Sequence, residues 1–317
     1  MTLSRRSALG LISAAALPRT VFAAPKSYDL RPKQIASGLW MIEGSTDYFS
    51  DQNGGAIVNC ALLDTPEGLI VIDSGPSLRY GRALASLARG LNPKGVTALV
   101  NTHHHPDHFF GNQAFPDTPV WALGETKVLA ETHGDAFADN MYLILGDWMR
   151  GTEPRPPTNV ILGDTLEIGG RVLGALPLSG HTEADLALLD RETGTLIAGD
   201  LAFLDRAPTT PSADLGLWRD SLDLMEGVEA SGVIPGHGPL DQTGKAIRQT
   251  RAYLDWLDKT LRDAAARGYD MVEIMHFDMP AEYASMGAMP EEFHRSVAHL
   301  YGEIEREIMP MAAPASE

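Results

Sequence analysis

A histidine-rich stretch, Thr102-His103-His104-His105-Pro106-Asp107-His108, carries the strongest chemical signal in the sequence. It directly follows an apolar run over 95–101 that predicts a buried strand, and the C-terminal ends of strands are where α/β proteins usually build their sites. His103 and His105 are two positions apart, which in extended backbone places both rings on one face. Asp107 and His108 follow the turn at Pro106 and can face a second ion. Imidazole and carboxylate ligands together suit Zn²⁺, Fe²⁺ or Mn²⁺.

Three later segments each place one potential ligand at the end of a predicted strand. His181 follows Gly180 on a tight turn, Asp200 ends the apolar run that begins at Thr195, and His237 again follows a glycine. Each segment alone indicates only a turn, and any single histidine could be a surface or core residue. Five histidines and two aspartates at strand ends have no common structural role, so together they predict a metal site.

The elements that must position these ligands are short strands and amphipathic helices. Turn residues separate β-prone runs, and helical spacing over 77–91 predicts a helix between two of them. This alternation argues for an α/β layered core made of two similar halves, with the sheets packed face to face and helices outside. The predicted strands are 39–43, 56–63, 68–73, 95–101, 159–162, 165–168, 171–178, 185–190 and 195–199.

Two helical regions lie outside this strand pattern. Residues 123–150 are rich in Met, Leu and Trp, and three prolines over 151–157 end that pattern. After residue 243 the chain is predicted to be helical, with apolar stripes over 245–267 and 291–309. Insertions of this kind shape pockets, so substrate selectivity is expected in 123–157 and in the C-terminal helices. Trp148, Trp218 and Tyr253 are candidate pocket walls or, more commonly for such residues, core.

Composition limits the classes of partner. The chain has 317 residues, 44% hydrophobic and 21% charged, as in a soluble globular protein. Its net charge of −17 repels nucleic acid and anionic lipid, and no apolar run approaches the roughly 20 residues of a membrane span. Cys60 is the single cysteine, so an internal disulfide is excluded; a buried apolar thiol is favoured over a reactive one.

Residues 1–23 are predicted to be an export signal. Arg5 and Arg6 precede a weakly apolar stretch, and small residues up to Ala23 suit a signal peptidase. The paired arginines favour the twin-arginine route over Sec, and a periplasmic location follows. An amphipathic N-terminal helix is the alternative. The mature chain is then divided into a domain over 24–242 and a helical elaboration of the same domain over 243–317.

The ligand segments, taken together, resemble those of the metallo-β-lactamase superfamily from about Leu39 to Pro239. The resemblance implies a four-layer αβ/βα sandwich with a C-terminal helical extension, and two metal ions, with zinc expected and iron or manganese possible alternatives. It also implies that Asp73 supports the metal loop from behind the ligands, although a turn-forming aspartate is an equal alternative. The implied first-ion ligands are His103, His105 and His181, the second-ion ligands are Asp107, His108 and His237, and Asp200 bridges the two ions.

The resemblance also predicts the reaction. Two such ions would share a hydroxide that attacks a carbonyl or phosphoryl centre, and Asp107 would steer it or accept a proton as the catalytic carboxylate. The antibiotic-hydrolysing members have Cys or Ser where this chain has Asp200. Asp200 instead resembles the arrangement of glyoxalase II, lactonases and phosphodiesterases. A small ester, thioester, lactone or related molecule is therefore the expected substrate.

Residues 51–55, 73–81 and 112–115 resemble a narrower group, the SoxH-like exported enzymes known as quinoprotein relay system zinc metallohydrolases. That likeness implies a periplasmic quinoprotein dehydrogenase as partner. Three alternatives stay open: a β-lactamase, an iron-dependent sulfur dioxygenase, and a non-catalytic accessory protein that holds metal structurally. The complete set of Asp107, His108 and His237 argues against the dioxygenase, which generally uses one iron.

Overall fold

Two β-sheets face each other in the computed structural model, which describes residues 26–308. The first has seven strands in sequence order, antiparallel through its first four strands and parallel from the fourth onward. Its strands are β1 (Pro32–Ala36), β2 (Leu39–Ile42), β3 (Cys60–Thr65), β4 (Gly68–Ile72), β5 (Val96–Val100), β6 (Val120–Ala122) and β7 (Asn159–Val160). The second sheet has the order β12-β11-β10-β9-β8 and is antiparallel except for the pair β11 and β12. Its strands are β8 (Thr165–Ile168), β9 (Arg171–Leu178), β10 (Asp185–Asp190), β11 (Thr195–Phe203) and β12 (Gly232–His237).

Helices cover the outer face of each sheet. The helix α1 (Leu78–Leu91) packs against the first sheet. The helices α4 (Leu215–Glu226), α5 (Lys245–Arg267) and α8 (Glu291–Ile308) pack against the second. The other helices are α2 (Pro106–Phe109), α3 (Gly124–Leu145), α6 (Met271–Ile274) and α7 (Ala281–Ala284).

The alternation of side chains within strands produces the layers. In β4, Ile70 and Ile72 point into the core between the sheets, whereas Leu69 and Val71 pack against α1. All five residues of this strand are buried because both faces are covered. The expectation of a four-layer αβ/βα sandwich, with helices continuing at the C-terminus, is therefore confirmed.

Several element boundaries differ from the prediction. The strand expected over 56–63 begins only at Cys60, because Asn59 leaves the sheet to donate hydrogen bonds to the carbonyls of Pro235 and Gly238, both at 2.8 Å. The helix expected over 123–150 ends at Leu145, where Gly146 has a φ of 55° and starts a short 3₁₀ turn. The sequence pattern does not single out β1, β6 or α4, and it predicts the strand before His237, which is β12, without giving its bounds.

No helix within residues 26–308 is both long and apolar enough to cross a membrane. The predicted export signal, residues 1–23, lies outside the described residues, as does the end of the chain after residue 308.

Candidate metal centre

The seven predicted ligands meet at one edge of the facing sheets. The histidine-rich stretch follows β5 and continues into α2, which contains Asp107 and His108. His181 lies on the loop between β9 and β10. Asp200 lies within β11, and His237 is the last residue of the neighbouring β12. Because β11 and β12 run parallel, their carboxylate and imidazole are delivered to the same edge.

The ligand atoms form two adjacent groups. In each group, one potential donor atom per residue lies within 4.8 Å of every other. The first group is His103, His105, His181 and Asp200, and the second is Asp107, His108 and His237.

Asp200 lies between the two groups. Its Oδ2 is 3.4 Å from His181 Nε2 and 3.2 Å from His237 Nε2, and its Oδ1 is 3.1 Å from His108 Nε2. Asp107 Oδ2 lies 3.6 Å from His108 Nε2 and 3.5 Å from His237 Nε2. One carboxylate therefore contacts imidazoles of both groups, which is the position expected of a bridging ligand.

The nitrogen and oxygen atoms of the two groups are suited to binding cations. His103 Nε2 is buried and lacks a hydrogen-bond partner among the described residues. His108 Nε2 and Asp200 Oδ1 are also buried and form no hydrogen bond there, although they lie 3.1 Å apart. A buried polar atom without a partner costs about 1–3 kcal/mol, so three in one place need a common explanation. Imidazole nitrogens and carboxylate oxygens are suitable ligands for zinc, iron or manganese, and a cation in each group would satisfy them.

Burial sets the protonation state of the first group. It lowers the pKa of His103 and His105 well below the usual range, with repulsion from neighbouring imidazoles adding to the effect. Burial likewise lowers the pKa of His181 to about 3. All three rings are consequently neutral at neutral pH, which is the form that binds a metal.

In the second group and at Asp200, neighbouring charges rather than burial decide the direction of the pKa shifts. Burial would lower the pKa of His108, but the carboxylates of Asp200, Asp73 and Asp107 outweigh it and raise that pKa well above the usual range. Burial would raise the pKa of Asp200, but the imidazoles of His237 and His108 outweigh burial and hold that pKa well below its usual range. The carboxylates thus favour a positive charge at this position, whether a proton on His108 or a bound cation.

Asp73 fixes the histidine-rich loop from behind. Its carboxylate accepts hydrogen bonds from the Thr102 backbone N–H at 2.9 Å and the Thr102 hydroxyl at 2.8 Å, and it lies 2.8 Å from His108 Nδ1. A proton on Nδ1 leaves Nε2 of His108 free to bind metal, as supporting carboxylates commonly arrange. This geometry favours the supporting role of Asp73 over a mere turn.

Asp185 holds the loop that carries His181 by bonding its neighbour Thr182, and sequence reasoning missed it. Its two carboxylate oxygens accept from the backbone N–H and the hydroxyl of Thr182, both at 2.8 Å. Burial raises the pKa of Asp185 to about 7, although these hydrogen bonds oppose the shift. The spacing of Thr182 and Asp185 is that of a side-chain-stabilised turn and could have indicated the contact.

Gly236 explains why a glycine precedes His237. A Cβ atom at this position would lie 2.0 Å from Asp200 Oδ1, so any larger residue would collide with the central carboxylate. His104 has a different role from its neighbours, because it belongs to neither ligand group and its ring packs near His133 and Phe137.

A cavity of ≈ 110 Å³ opens beside the ligands. It is lined by His105, Asp107, Asp200 and His237, and by side chains from the loop 48–57, α3, the segment after β11 and α8. Trp148, Trp218 and Tyr253 do not line it. Trp218 is instead fully buried, with its ring 5.1 Å from that of His181, and the other two belong to the cores.

Comparison with known proteins places the chain among metal-dependent hydrolases. The family model described as the Metallo-beta-lactamase superfamily matches residues 53–237. The acyl-coenzyme A thioesterase MBLAC2 of Gallus gallus is 28% identical over 228 residues, covering 65% of this chain and 79% of that protein. The linear primary-alkylsulfatase of Pseudomonas sp. (strain ATCC 19151) is 23% identical over 291 residues, covering 77% of this chain. The match covers 54% of the alkylsulfatase, so this chain spans about half of that protein's length. The metallo-beta-lactamase from Pontibacter korlensis shares the fold, with a TM-score of 0.59 and 23% identity over 72% of this chain and 99% of that one.

Proposed function

The chain belongs to the metallo-beta-lactamase superfamily, and on that premise we propose that it is an exported dinuclear metal-dependent hydrolase of small esters, thioesters or lactones. The observation that carries the proposal is the convergence of seven ligand side chains around Asp200, with three buried donor atoms that form no hydrogen bond among the described residues. The similarity to acyl-coenzyme A thioesterase MBLAC2 favours thioesters within this class.

His103, His105 and His181 would hold one ion, Asp107, His108 and His237 the other, and Asp200 both. When bound, the ions would polarise the substrate oxygen and lower the pKa of water to about 7. Asp107 lines the cavity as well as the ligand group, so its carboxylate can orient a water molecule or accept its proton. Asp73 and Asp185 hold the two ligand loops in place.

Metal analysis coupled to activity tests the proposal. The full chain is expressed in a bacterial host, and protein purified from the periplasm is assayed for bound metal and for hydrolysis of thioester, lactone and phosphodiester substrates. We expect about two ions per chain and thioester turnover that chelation abolishes and added metal restores. Metal without turnover on any substrate would favour a non-catalytic accessory role, and hydrolysis of nitrocefin would favour a β-lactamase.

A matched pair of histidine variants separates a ligand from a surface histidine. His181→Ala should lose metal and turnover, whereas His276→Ala should lose neither, because His276 is exposed and only bonds the Val272 carbonyl. Equal behaviour of the two variants would contradict the ligand assignment.

We also propose export by the twin-arginine route. Replacement of both Arg5 and Arg6 by lysine should leave the protein in the cytoplasm, since that route reads the arginine pair. Unchanged export of the double variant would point to Sec instead.

The likeness of residues 51–55, 73–81 and 112–115 to the quinoprotein relay group supports a proposed link to a periplasmic quinoprotein dehydrogenase. In a strain lacking the protein, dye-linked dehydrogenase activity should fall, and wild type but not Asp200→Asn should restore it. Restoration by both proteins would favour the accessory role, and no fall on deletion would refute the link.

A further inference from the structure

The cavity beside the ligands has one wall that the proposed hydrolysis does not use. Arg206, in the segment after β11, and Arg295, on α8, both line it. Arg295 lies outside residues 53–237, so the family match assigns it no role.

Both arginines share one carboxylate. Glu292 is fully buried and lies 3.2 Å from Arg206 and 3.1 Å from Arg295. No other acidic side chain within residues 26–308 forms an ion pair with either arginine. Glu291, whose charge also acts on Tyr48, is exposed and pairs with neither arginine. The two guanidinium groups therefore face one buried carboxylate, which leaves positive charge at this wall.

The buried partners of Glu292 make Arg295 unnecessary for neutralising it. Arg206 is 1% exposed and also donates to the Ala207 carbonyl and the Thr209 hydroxyl, so it is fixed in place. Thr209 donates to Glu292 at 2.8 Å. Glu292 therefore keeps a cation and a hydroxyl without Arg295.

Arg295 is held at the cavity and remains accessible. Its side chain is 31% exposed, and its guanidinium carbon lies 5.5 Å from the centre of the Tyr48 ring. A cation over an aromatic face is attracted to it, so Tyr48 orients the guanidinium without neutralising its charge. Such a group binds carboxylates through paired charge-assisted hydrogen bonds.

The remaining cavity wall is largely apolar, with Asn140, Thr209 and Ser212 adding polar groups. Phe49, Phe137, Met141 and Ile144 line it, the last three on α3. A ligand that fills the space therefore meets metal ligands, a hydrocarbon surface and a cationic wall together.

We infer that Arg295, backed by Arg206, is a specificity-determining anion site, and that the substrate carries a carboxylate in addition to a short apolar chain. The inference rests on the proposed hydrolase function, because the anion would be held while the scissile bond lies at the ligand groups. Arg295 acts on binding of the substrate and takes no part in bond cleavage.

Matched ligands test the inference. The thioester S-butanoyl-3-mercaptopropanoate is compared with its neutral N-methylamide, using kcat/KM for the metal-loaded full chain. The stable analogue N-butanoyl-β-alanine and its N-methylamide are compared by calorimetric titration. Wild type should prefer the anionic member of each pair by about ten-fold or more, since one charge-assisted hydrogen bond contributes about 1.5–3 kcal/mol.

Substitutions then assign the preference. In Arg295→Gln the ratio of anionic to neutral ligand should fall to about one, Arg295→Lys should restore part of it, and Arg262→Gln should retain it. Arg262 is a suitable control because it is 45% exposed and pairs with Asp258 and Glu307 away from the cavity. Metal content and thermal unfolding identify any variant that fails to fold. If Arg295→Gln fails to fold, the ratio measured for Arg295→Lys decides whether Arg295 carries the preference.

The outcomes separate the inference from the proposed function. A wild-type ratio near one, or a ratio unchanged in Arg295→Gln, overturns the inference, the latter because the ions would then bind the carboxylate. Absence of turnover on both thioesters and on ester and lactone substrates, with the calorimetric preference intact and dependent on Arg295, refutes the hydrolase and supports the anion site.

Discussion

The ligand loops and the C-terminal helices contribute to one cavity in different ways. The loops lie within residues 53–237, the family-matched part of the chain, and each presents its ligands directly at or after a strand. The helices over 245–308 lie beyond that match and bring Arg295 to the cavity through packing of α8 against α5. The proposed ligands are thus placed by local sequence at strand ends, whereas the residue proposed to select the substrate reaches the cavity only through long-range packing.

The assignment of two ligand groups depends most strongly on Asp200. Asp200→Asn removes the charge that faces both ligand groups, so we expect loss of both ions and a fall in kcat/KM of about 1000-fold or more, as several kcal/mol of charge stabilisation disappear. Metal analysis and thioester hydrolysis measure the two effects. Retention of two ions with near-normal turnover would exclude a bridging role.

A smaller loss is expected at Asp107. Asp107→Asn preserves the shape of the ligand and removes its ability to take up a proton, so we expect part of the metal to remain while kcat falls about 100-fold. Comparison of metal content with kcat in the same preparation distinguishes this from simple metal loss. Near-normal turnover would refute a role in proton transfer.

Loss of a supporting carboxylate should weaken metal binding by the ligand loops without abolishing it. Asp73→Asn and Asp185→Asn each remove hydrogen-bond acceptors for Thr102 or Thr182, and we expect metal affinity to fall about 10- to 100-fold. Competition with a chelator measures the affinity. If Asp185→Asn binds metal like wild type, its contact with Thr182 has no bearing on the ligands.

The helical region should affect stability rather than the ions. Leu257 lies on α5 and is fully buried in the core between the second sheet and its helices. Leu257→Ala should lower the free energy of unfolding by about 2–5 kcal/mol. Denaturant titration measures that loss, and metal content of the folded variant should stay at the wild-type value. Loss of metal from the folded variant would show that the two regions are not separable.

The seven ligands could be predicted from the sequence because the pattern that indicates each of them is local. A His or Asp at the end of an apolar strand is visible in the letters, and the alternation of strand residues predicts the layers. The sequence could not place Arg295, because an arginine on an amphipathic helix is usually solvated and only the tertiary structure brings it beside Tyr48. Strand β12 is expected before His237 but without bounds, since Pro235 and Gly236 within it are typical of turns.

The two-ion centre is best tested by a crystal structure of the metal-loaded full chain, with anomalous scattering recorded at the absorption edge of the bound metal. We expect two peaks, one among His103, His105 and His181 and the other among Asp107, His108 and His237, each beside the Asp200 carboxylate. A single peak elsewhere, or no peak within these seven side chains after metal loading, would contradict the proposed two-ion centre.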